Sequence, residues 1–257
     1  MAKPTIALST SPIFEPYCYE LLRKISLELS RNEIASTFAF SAQQPHSPSS
    51  TSSALAVVCE DATTEPAPIH IKITGFHGKI ILTTDVHREI ALSLEHLIMR
   101  GHQRIALFCR AVQDFNAEER IREFTDQCSR NSHIVDYQVY SAAPDSDSIA
   151  STAQSLLDHH PTAVICSSDF LATSLLYEAH QRNISVPKDL SVIGYSDVPE
   201  AAKTIPALTT IRLPFTRLAR AVSQITTDIM LTGTSRIGNI TFRPELIIRN
   251  STSYARS

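Results

Sequence analysis

The fold is decided by residues 163–215, which read AVICSSDFLATSLLYEAHQRNISVPKDLSVIGYSDVPEAAKTIPALTTIRLPF. The pattern predicts an apolar strand that ends at Ser168-Asp169, an amphipathic helix, and a second apolar strand that ends at Ser196-Asp197. Parallel strands joined through a helix bring their carboxyl ends to one edge of a sheet, which is where open α/β sheets bind ligands. The stretch therefore predicts an α/β fold with polar side chains gathered at that edge.

Outward from this stretch, strands and helices alternate along almost the whole chain. The predicted strands are 5–9, 35–41, 54–59, 69–73, 79–83, 104–108, 134–140 and 240–249, and the predicted helices are 17–31, 86–100, 117–129, 146–159 and 215–231. Such alternation predicts a parallel sheet covered by helices. A length of 257 residues allows one large core or two smaller ones.

Composition excludes some classes of protein. The net charge is −3 and the isoelectric point is about 6.4, whereas a free-standing nucleic-acid binder usually carries a basic surplus. No apolar run approaches the roughly 18 residues of a membrane helix, and Met1 leads straight into a strand without a signal peptide. The five cysteines form no C-x-x-C pair, which is typical of reduced thiols. We expect a cytoplasmic protein without contact to a membrane.

The motifs of common enzymes are not found in the sequence. It contains no phosphate-binding loop, no G-x-G-x-x-G and no G-x-S-x-G nucleophile elbow. His159 and His160 are adjacent and cannot share one helical face, and Asp85-x-His87 is too short a pattern to define a zinc site. We therefore expect no catalysis, no cofactor and no metal.

Several segments resemble one family of proteins. Besides residues 163–215, these are EHLIMRGHQRIA at 95–106, RIREF at 120–124 and LIIRNST at 246–252. In order and spacing they resemble the effector-binding core of the LacI/GalR family of bacterial transcription regulators. The resemblance covers nearly the whole chain and is strongest from about residue 85 onward.

The resemblance implies two Rossmann-like lobes with parallel sheets, joined by three crossovers. Lobe one would hold residues 1–100 and 214–241, and lobe two residues 101–213 and 242–257. A small effector, a sugar or sugar derivative, would bind in the cleft between them. Family members form homodimers and bind operator DNA through a helix-turn-helix head, which this chain lacks.

Two loops depart from the family pattern. The Pro/Ser-rich residues 43–53 and the link 61–68 stand where family members carry helices. We therefore expect a shortened first lobe, with apolar sheet surface that a partner or a loop must cover.

The resemblance also assigns candidate ligand contacts. Arg120 is the first choice, because a guanidinium presents five donors in a fixed fork suited to paired oxygens. Its replacement by alanine is expected to abolish the effector response with little loss of folding. Ser168 and Asp169 stand at a strand-end ligand pair, although Asp169 is equally suited to cap the next helix. Ser196 and Asp197 stand at a second pair.

Three further candidates have simple structural alternatives. Tyr17 and Phe215 match aromatic residues of the family's cleft, and core packing is the alternative for both. Arg88 matches a cleft position at the start of a helix, and a solvated charge is the alternative.

The chain is thus expected to be the effector-sensing and dimerisation core of a LacI-type regulator. One alternative is a solute-binding protein for sugar uptake. The other is a ligand-independent dimerisation module, because Ser168 and Ser196 replace stronger polar groups of the family.

Overall fold

The computed structural model describes residues 5–10, 16–40, 56–60, 70–74, 82–110, 117–233 and 240–256. Its strands are β1 Thr5–Thr10, β2 Ala35–Phe40, β3 Ala56–Glu60, β4 His70–Thr74, β5 Leu82–Thr84, β6 Arg104–Arg110, β7 Asp136–Ala142, β8 Ala163–Cys166, β9 Ser191–Ser196, β10 Thr209–Arg212, β11 Ile240–Phe242 and β12 Glu245–Ile247. Its helices are α1 Pro16–Arg31, α2 Val86–Ile98, α3 Ala117–Ser129, α4 Ser146–Asp158, α5 Asp169–Gln181 and α6 Phe215–Thr232, with a 3₁₀ helix at Pro199–Lys203.

The chain divides into two compact units. Unit 1 comprises Met1–Thr84 and Pro214–Phe242, and unit 2 comprises Asp85–Leu213 and Arg243–Ser257. No helix within the described ranges is long and apolar enough to cross a membrane.

Unit 1 contains a four-stranded sheet and two packed helices. The strand order is β2-β1-β3-β4, parallel except for β4, which runs antiparallel to β3. Strands β5 and β11 form a separate parallel pair. Helices α1 and α6 bury regularly spaced apolar residues, and the side chain of Asn32 donates to the Ser223 hydroxyl at 2.9 Å. The loops 43–53 and 61–68, on which the expected shortening rests, lie outside the described residues.

Unit 2 is built on a six-stranded sheet of order β12-β10-β9-β8-β6-β7. All neighbours are parallel except the edge strand β12, which is antiparallel to β10. Apolar residues of α2 and α3 pack on the central strands and form the main core. These residues include Ile90, Leu94, Leu97, Phe124, Leu107, Ile165 and Ile193. The carboxyl ends of the parallel strands therefore lie along one edge.

Two sequence-based boundaries need correction. The first unit was expected to extend to residue 100, but the division lies after Thr84, because α2 buries its apolar face in the core of unit 2. Residues 240–249 were expected to form one strand. They form β11 in unit 1 and β12 in unit 2, and Pro244 between them lacks the amide hydrogen that a continuous ladder requires.

Candidate functional site

The carboxyl edge of the unit 2 sheet collects buried polar side chains. The buried residues at or near the strand ends are Arg110, Ser167, Ser168, Asp169 and Ser196, and Arg120 joins the set from α3. Such groups are costly to bury without partners, so each contact they make is informative.

Asp169 connects four segments of unit 2. From the first turn of α5, its carboxylate accepts hydrogen bonds from the Thr210 hydroxyl at 2.6 Å and from the backbone N–H of Val198 at 2.9 Å. The Ser196 hydroxyl lies 3.5 Å from the same carboxylate. The space for this carboxylate exists because residue 194 is glycine: a Cβ there would lie 2.3 Å from Asp169 Oδ1. Asp169 thus joins α5 to β9, β10 and the 3₁₀ helix.

Burial has a clear electrostatic effect on Asp169. Desolvation raises the pKa of its carboxyl to about 7, although hydrogen bonds from Thr210 and Val198 act in the opposite direction. A neutral carboxylic acid donates as well as accepts hydrogen bonds, so this group changes its hydrogen-bonding character near neutral pH.

The cap of α5 is Ser168 rather than Asp169. The Ser168 hydroxyl accepts from the backbone N–H of Leu171 at 3.2 Å, and the Ser168 backbone is extended, as N-cap geometry requires. Ser168 therefore fills the N-cap role that was the alternative for Asp169. The Asp169 carboxylate is turned toward the strands instead.

Ser196 and Asp197 lie where the chain leaves β9. Both have positive φ angles, 105° and 55°, which residues other than glycine seldom adopt. The Asp197 carboxylate accepts from Arg212 Nε at 2.6 Å and from the Arg249 guanidinium at 2.5 Å. Asp197 therefore fixes the strained turn to β10 and to the C-terminal segment.

Arg120 is buried and makes contacts within unit 2. Its guanidinium lies over the Tyr195 ring at 4.4 Å from the centroid, and one terminal nitrogen is 3.4 Å from Glu89 Oε2. The Tyr195 hydroxyl donates to the other Glu89 oxygen at 2.8 Å. We call these three residues the Glu89 cluster. The expectation that Arg120→Ala folds almost normally stays a prediction, and the buried carboxylate that the lost arginine would leave argues against it.

The sequence analysis named Arg88 on this helix but neither Glu89 nor Tyr195, and a ligand contact by Arg88 stays a prediction. In the structure Arg88 is exposed and lies 3.3 Å from Glu95 on the outer face of α2. The helical period gives the reason, since Val86, Glu89, Ile90 and Ser93 share the buried face and Arg88 does not. A glutamate in helical register with these apolar residues was the sequence feature that could have pointed to a buried, functional carboxylate.

Two predicted aromatic contacts belong to unit 1. Phe215 is buried and is the first residue of α6, as its core-packing alternative predicts. Tyr17 lies in the first turn of α1, and its side chain lies outside the described residues. The structure therefore leaves a ligand contact by either residue as a prediction.

A separate cavity of about 600 Å³ lies at the opposite edge of the unit 2 sheet. Its lining includes Gln103, Arg104, His160, Thr162, Asp189 and Leu190. These residues precede or begin β6, β8 and β9, so the cavity is at the amino ends of the strands. None of the predicted ligand contacts lines it.

The buried thiols of unit 2 are not activated. Burial raises the pKa of the Cys128 thiol to about 12 and that of Cys166 well above its usual value, so neither thiol is an activated nucleophile. Within the described ranges no three potential metal ligands come together. The carboxyl edge offers hydroxyls, two carboxylates and guanidinium groups, which suit polar recognition.

Comparison with known proteins identifies relatives among transcription regulators. The chain is 28% identical over 193 residues to the HTH-type transcriptional regulator MalR of Streptomyces coelicolor, covering 72% of this chain and 56% of MalR. It is 35% identical over 169 residues to the arabinose metabolism transcriptional repressor of Geobacillus stearothermophilus, covering 63% of this chain and 46% of the repressor. The chain thus spans about half the length of the curated relatives it matches.

Solved structures share the fold. A LacI family transcriptional regulator from Enterococcus faecium with bound ribose has a TM-score of 0.80 at 20% identity, covering 98% of this chain and 100% of that one. A LacI family regulator from an Arthrobacter species, in complex with lactose, has a TM-score of 0.78 at 13% identity over 98% and 100% of the two chains. The expected fold class is confirmed. The sequence pattern of the periplasmic binding protein-like domain matches residues 94–252. Because that match covers more than half of the chain, the protein belongs to the periplasmic binding protein-like family.

Proposed function

We propose that the chain is the sugar-sensing core of a LacI-type transcription regulator. A neutral sugar or sugar derivative binds at the carboxyl edge of unit 2 and changes the affinity of a DNA-binding head for its operator. The core is cytoplasmic, forms homodimers and performs no chemical reaction on its ligand. The regulator relatives, and the sugars in the two similar structures, support this assignment.

The observation that carries the proposal is the polar edge of unit 2. Arg120, Asp169 and Ser196 are buried there, and the backbone at Ser196 and Asp197 is strained. Strained backbone and buried charge are costly for a fold and cluster at ligand sites. Hydroxyls, carboxylates and guanidinium groups are also the groups that recognise sugar hydroxyls.

A second candidate is a ligand-independent dimerisation module. It is favoured because predicted ligand contacts are engaged within the chain: Ser168 caps α5, Asp197 pairs with two arginines, and Arg120 lies against Glu89. A binding experiment distinguishes the two candidates.

The test is a thermal-shift screen of the wild-type chain against pentoses, hexoses and disaccharides. A ligand at 100 times its Kd stabilises the folded state by about 2.7 kcal/mol, which raises the unfolding temperature by several degrees. We expect at least one sugar to do so. Arg120→Gln keeps a donor for Glu89. We expect it to lower the affinity for that sugar by about 10-fold or more in calorimetric titration.

Arg130→Gln is the matched control, because it removes an exposed arginine of the same unit that lies just beyond the end of α3 and pairs with Asp126. It should leave sugar affinity unchanged. A chain that binds no sugar yet forms a stable dimer would support the second candidate. Equal sugar affinity in Arg120→Gln and in the wild type would refute the assigned site.

A further inference from the structure

The guanidinium of Arg120 already faces a carboxylate of its own unit. Glu89 comes from α2, Arg120 from α3 and Tyr195 from β9, and their exposed fractions are 1%, 3% and 7%. One Glu89 oxygen lies 3.4 Å from the Arg120 guanidinium, and the other accepts from the Tyr195 hydroxyl. The arginine that the site would offer to an anion is therefore partly neutralised from within.

Helices α2 and α3 are held on the sheet by apolar packing as well as by this ion pair. Ile90, Leu94 and Phe124 already pack these helices against the strands. A buried ion pair often contributes no more stability than apolar residues of the same volume, because both charges lose their hydration. The position of the pair, beside the strand end at Tyr195, is better explained by a role in recognition.

The pair has a direct consequence for ligand chemistry. A carboxylate or phosphate that approached Arg120 would also approach Glu89, and like charges repel strongly in a buried setting. A sugar hydroxyl meets no such repulsion, since it can donate to the Glu89 carboxylate and accept from the guanidinium. The cluster thus discriminates by charge.

We infer that Glu89 is the specificity-determining residue that restricts unit 2 to uncharged sugars and excludes sugar acids and sugar phosphates. The inference rests on the proposed function, in that it assigns a ligand class to the same site. Removal of the Glu89 charge converts Arg120 into an anion receptor.

The experiment compares neutral sugars with their charged counterparts by calorimetric titration at low ionic strength. The probes are glucose with glucuronate, galactose with galacturonate, and ribose with ribose 5-phosphate. In the pair that the wild type recognises, its affinity for the neutral sugar should be about 100-fold higher than its affinity for the charged one. The reason is that like-charge contacts in interfaces are costly. Glu89→Gln, which keeps the shape of the side chain, should shift that preference toward the charged member by about 10-fold or more.

Two variants serve as controls for the titration. Glu95→Gln removes an exposed carboxylate of the same helix and should leave the preference as in the wild type. The double variant Glu89→Gln, Arg120→Gln should lose the gain in affinity for the charged member, because the gain depends on the guanidinium. Circular dichroism verifies that each variant is folded.

Glu89→Ala gives a second measurement that needs no sugar. Acetate at tens of millimolar is expected to raise its unfolding temperature by occupying the vacated position, and to have no such effect once Arg120 is also replaced by glutamine. This measurement applies even if Glu89→Gln is too unstable for titration.

The outcomes separate this inference from the proposed function. If the wild type binds no sugar but the Glu89 variants gain Arg120-dependent anion binding, the sensing function fails, whereas the exclusion of anions by Glu89 stands. If the wild type binds charged and neutral sugars equally, the inference is overturned. It is also overturned if folded Glu89→Gln gains no anion affinity and acetate does not stabilise Glu89→Ala.

Discussion

Asp169 and Gly194 depend on each other, because the carboxylate occupies the space that a side chain at position 194 would need. The carboxylate accepts hydrogen bonds from Thr210, which lies in β10, and from Val198, which follows the end of β9. Sequence reasoning found Asp169, since it ends an apolar strand, but not the partner segments. Hydrogen-bond partners about 30 to 40 residues away in sequence leave no local pattern.

The raised pKa of Asp169 predicts a pH-dependent stability. Burial raises the pKa from 3.8 to about 7, so the folded state binds an extra proton between these values. This contribution to stability is complete below pH 4 and is lost as the pH rises through 7. The free energy of unfolding of the wild type should therefore fall relative to Asp169→Asn by about 3 kcal/mol from pH 4 to pH 7.

The measurement is urea unfolding of both proteins at a series of pH values. His96 and His102, whose pKa values burial lowers, are present in both proteins, so their opposite pH dependence cancels in the difference. A difference that stays constant over this range would show that the Asp169 carboxyl titrates normally.

At the scale of elements, Ser251 is the most buried of the residues that tie the C-terminal segment into unit 2. Ser251 is fully buried, donates to the carbonyl of Val192 at 2.6 Å and accepts from the N–H of Thr209 at 2.8 Å. Val192 in turn donates to the Ser251 carbonyl at 2.8 Å. This segment therefore bridges β9 and the start of β10, which the chain itself joins through the 3₁₀ helix Pro199–Lys203.

Ser251→Ala should lower the free energy of unfolding by about 3 kcal/mol. Each buried backbone group left without a partner costs about 1–3 kcal/mol, and the substitution removes the hydroxyl from two of them. Thermal or urea unfolding measures the loss. Ser155→Ala, a change of the same kind on the exposed face of α4, should stay within about 0.5 kcal/mol of the wild type. Equal stabilities of the two variants would contradict this role.

The elements themselves were largely predictable, and the reasons for the misses are physical. Helical periodicity located α2, α3 and α6, because one-sided burial leaves a repeat of 3.6 residues. The same repeat places Glu89 on the buried face, whereas the family resemblance selected Arg88. Which unit α2 joins depends on packing in three dimensions, so the sequence boundary after residue 100 lay too late.

At the scale of the whole molecule, the resemblance to a family supplied what local patterns could not. Alternating strands and helices are compatible with one lobe or two, whereas the order of the family segments predicted two, with a first boundary later than the division after Thr84. Assignment of the ligand edge combines that resemblance with the buried polar set of unit 2. The cavity at the amino ends of the strands is the competing location.

One measurement decides between these two locations. Backbone amide NMR spectra of the chain are recorded during titration with the sugar found in the thermal-shift screen. Our account predicts that the largest shift changes occur at the carboxyl edge, at Asp169, Tyr195 and Ser196. Changes confined to Gln103, His160 and Thr162, which line the cavity at the amino ends, would contradict it.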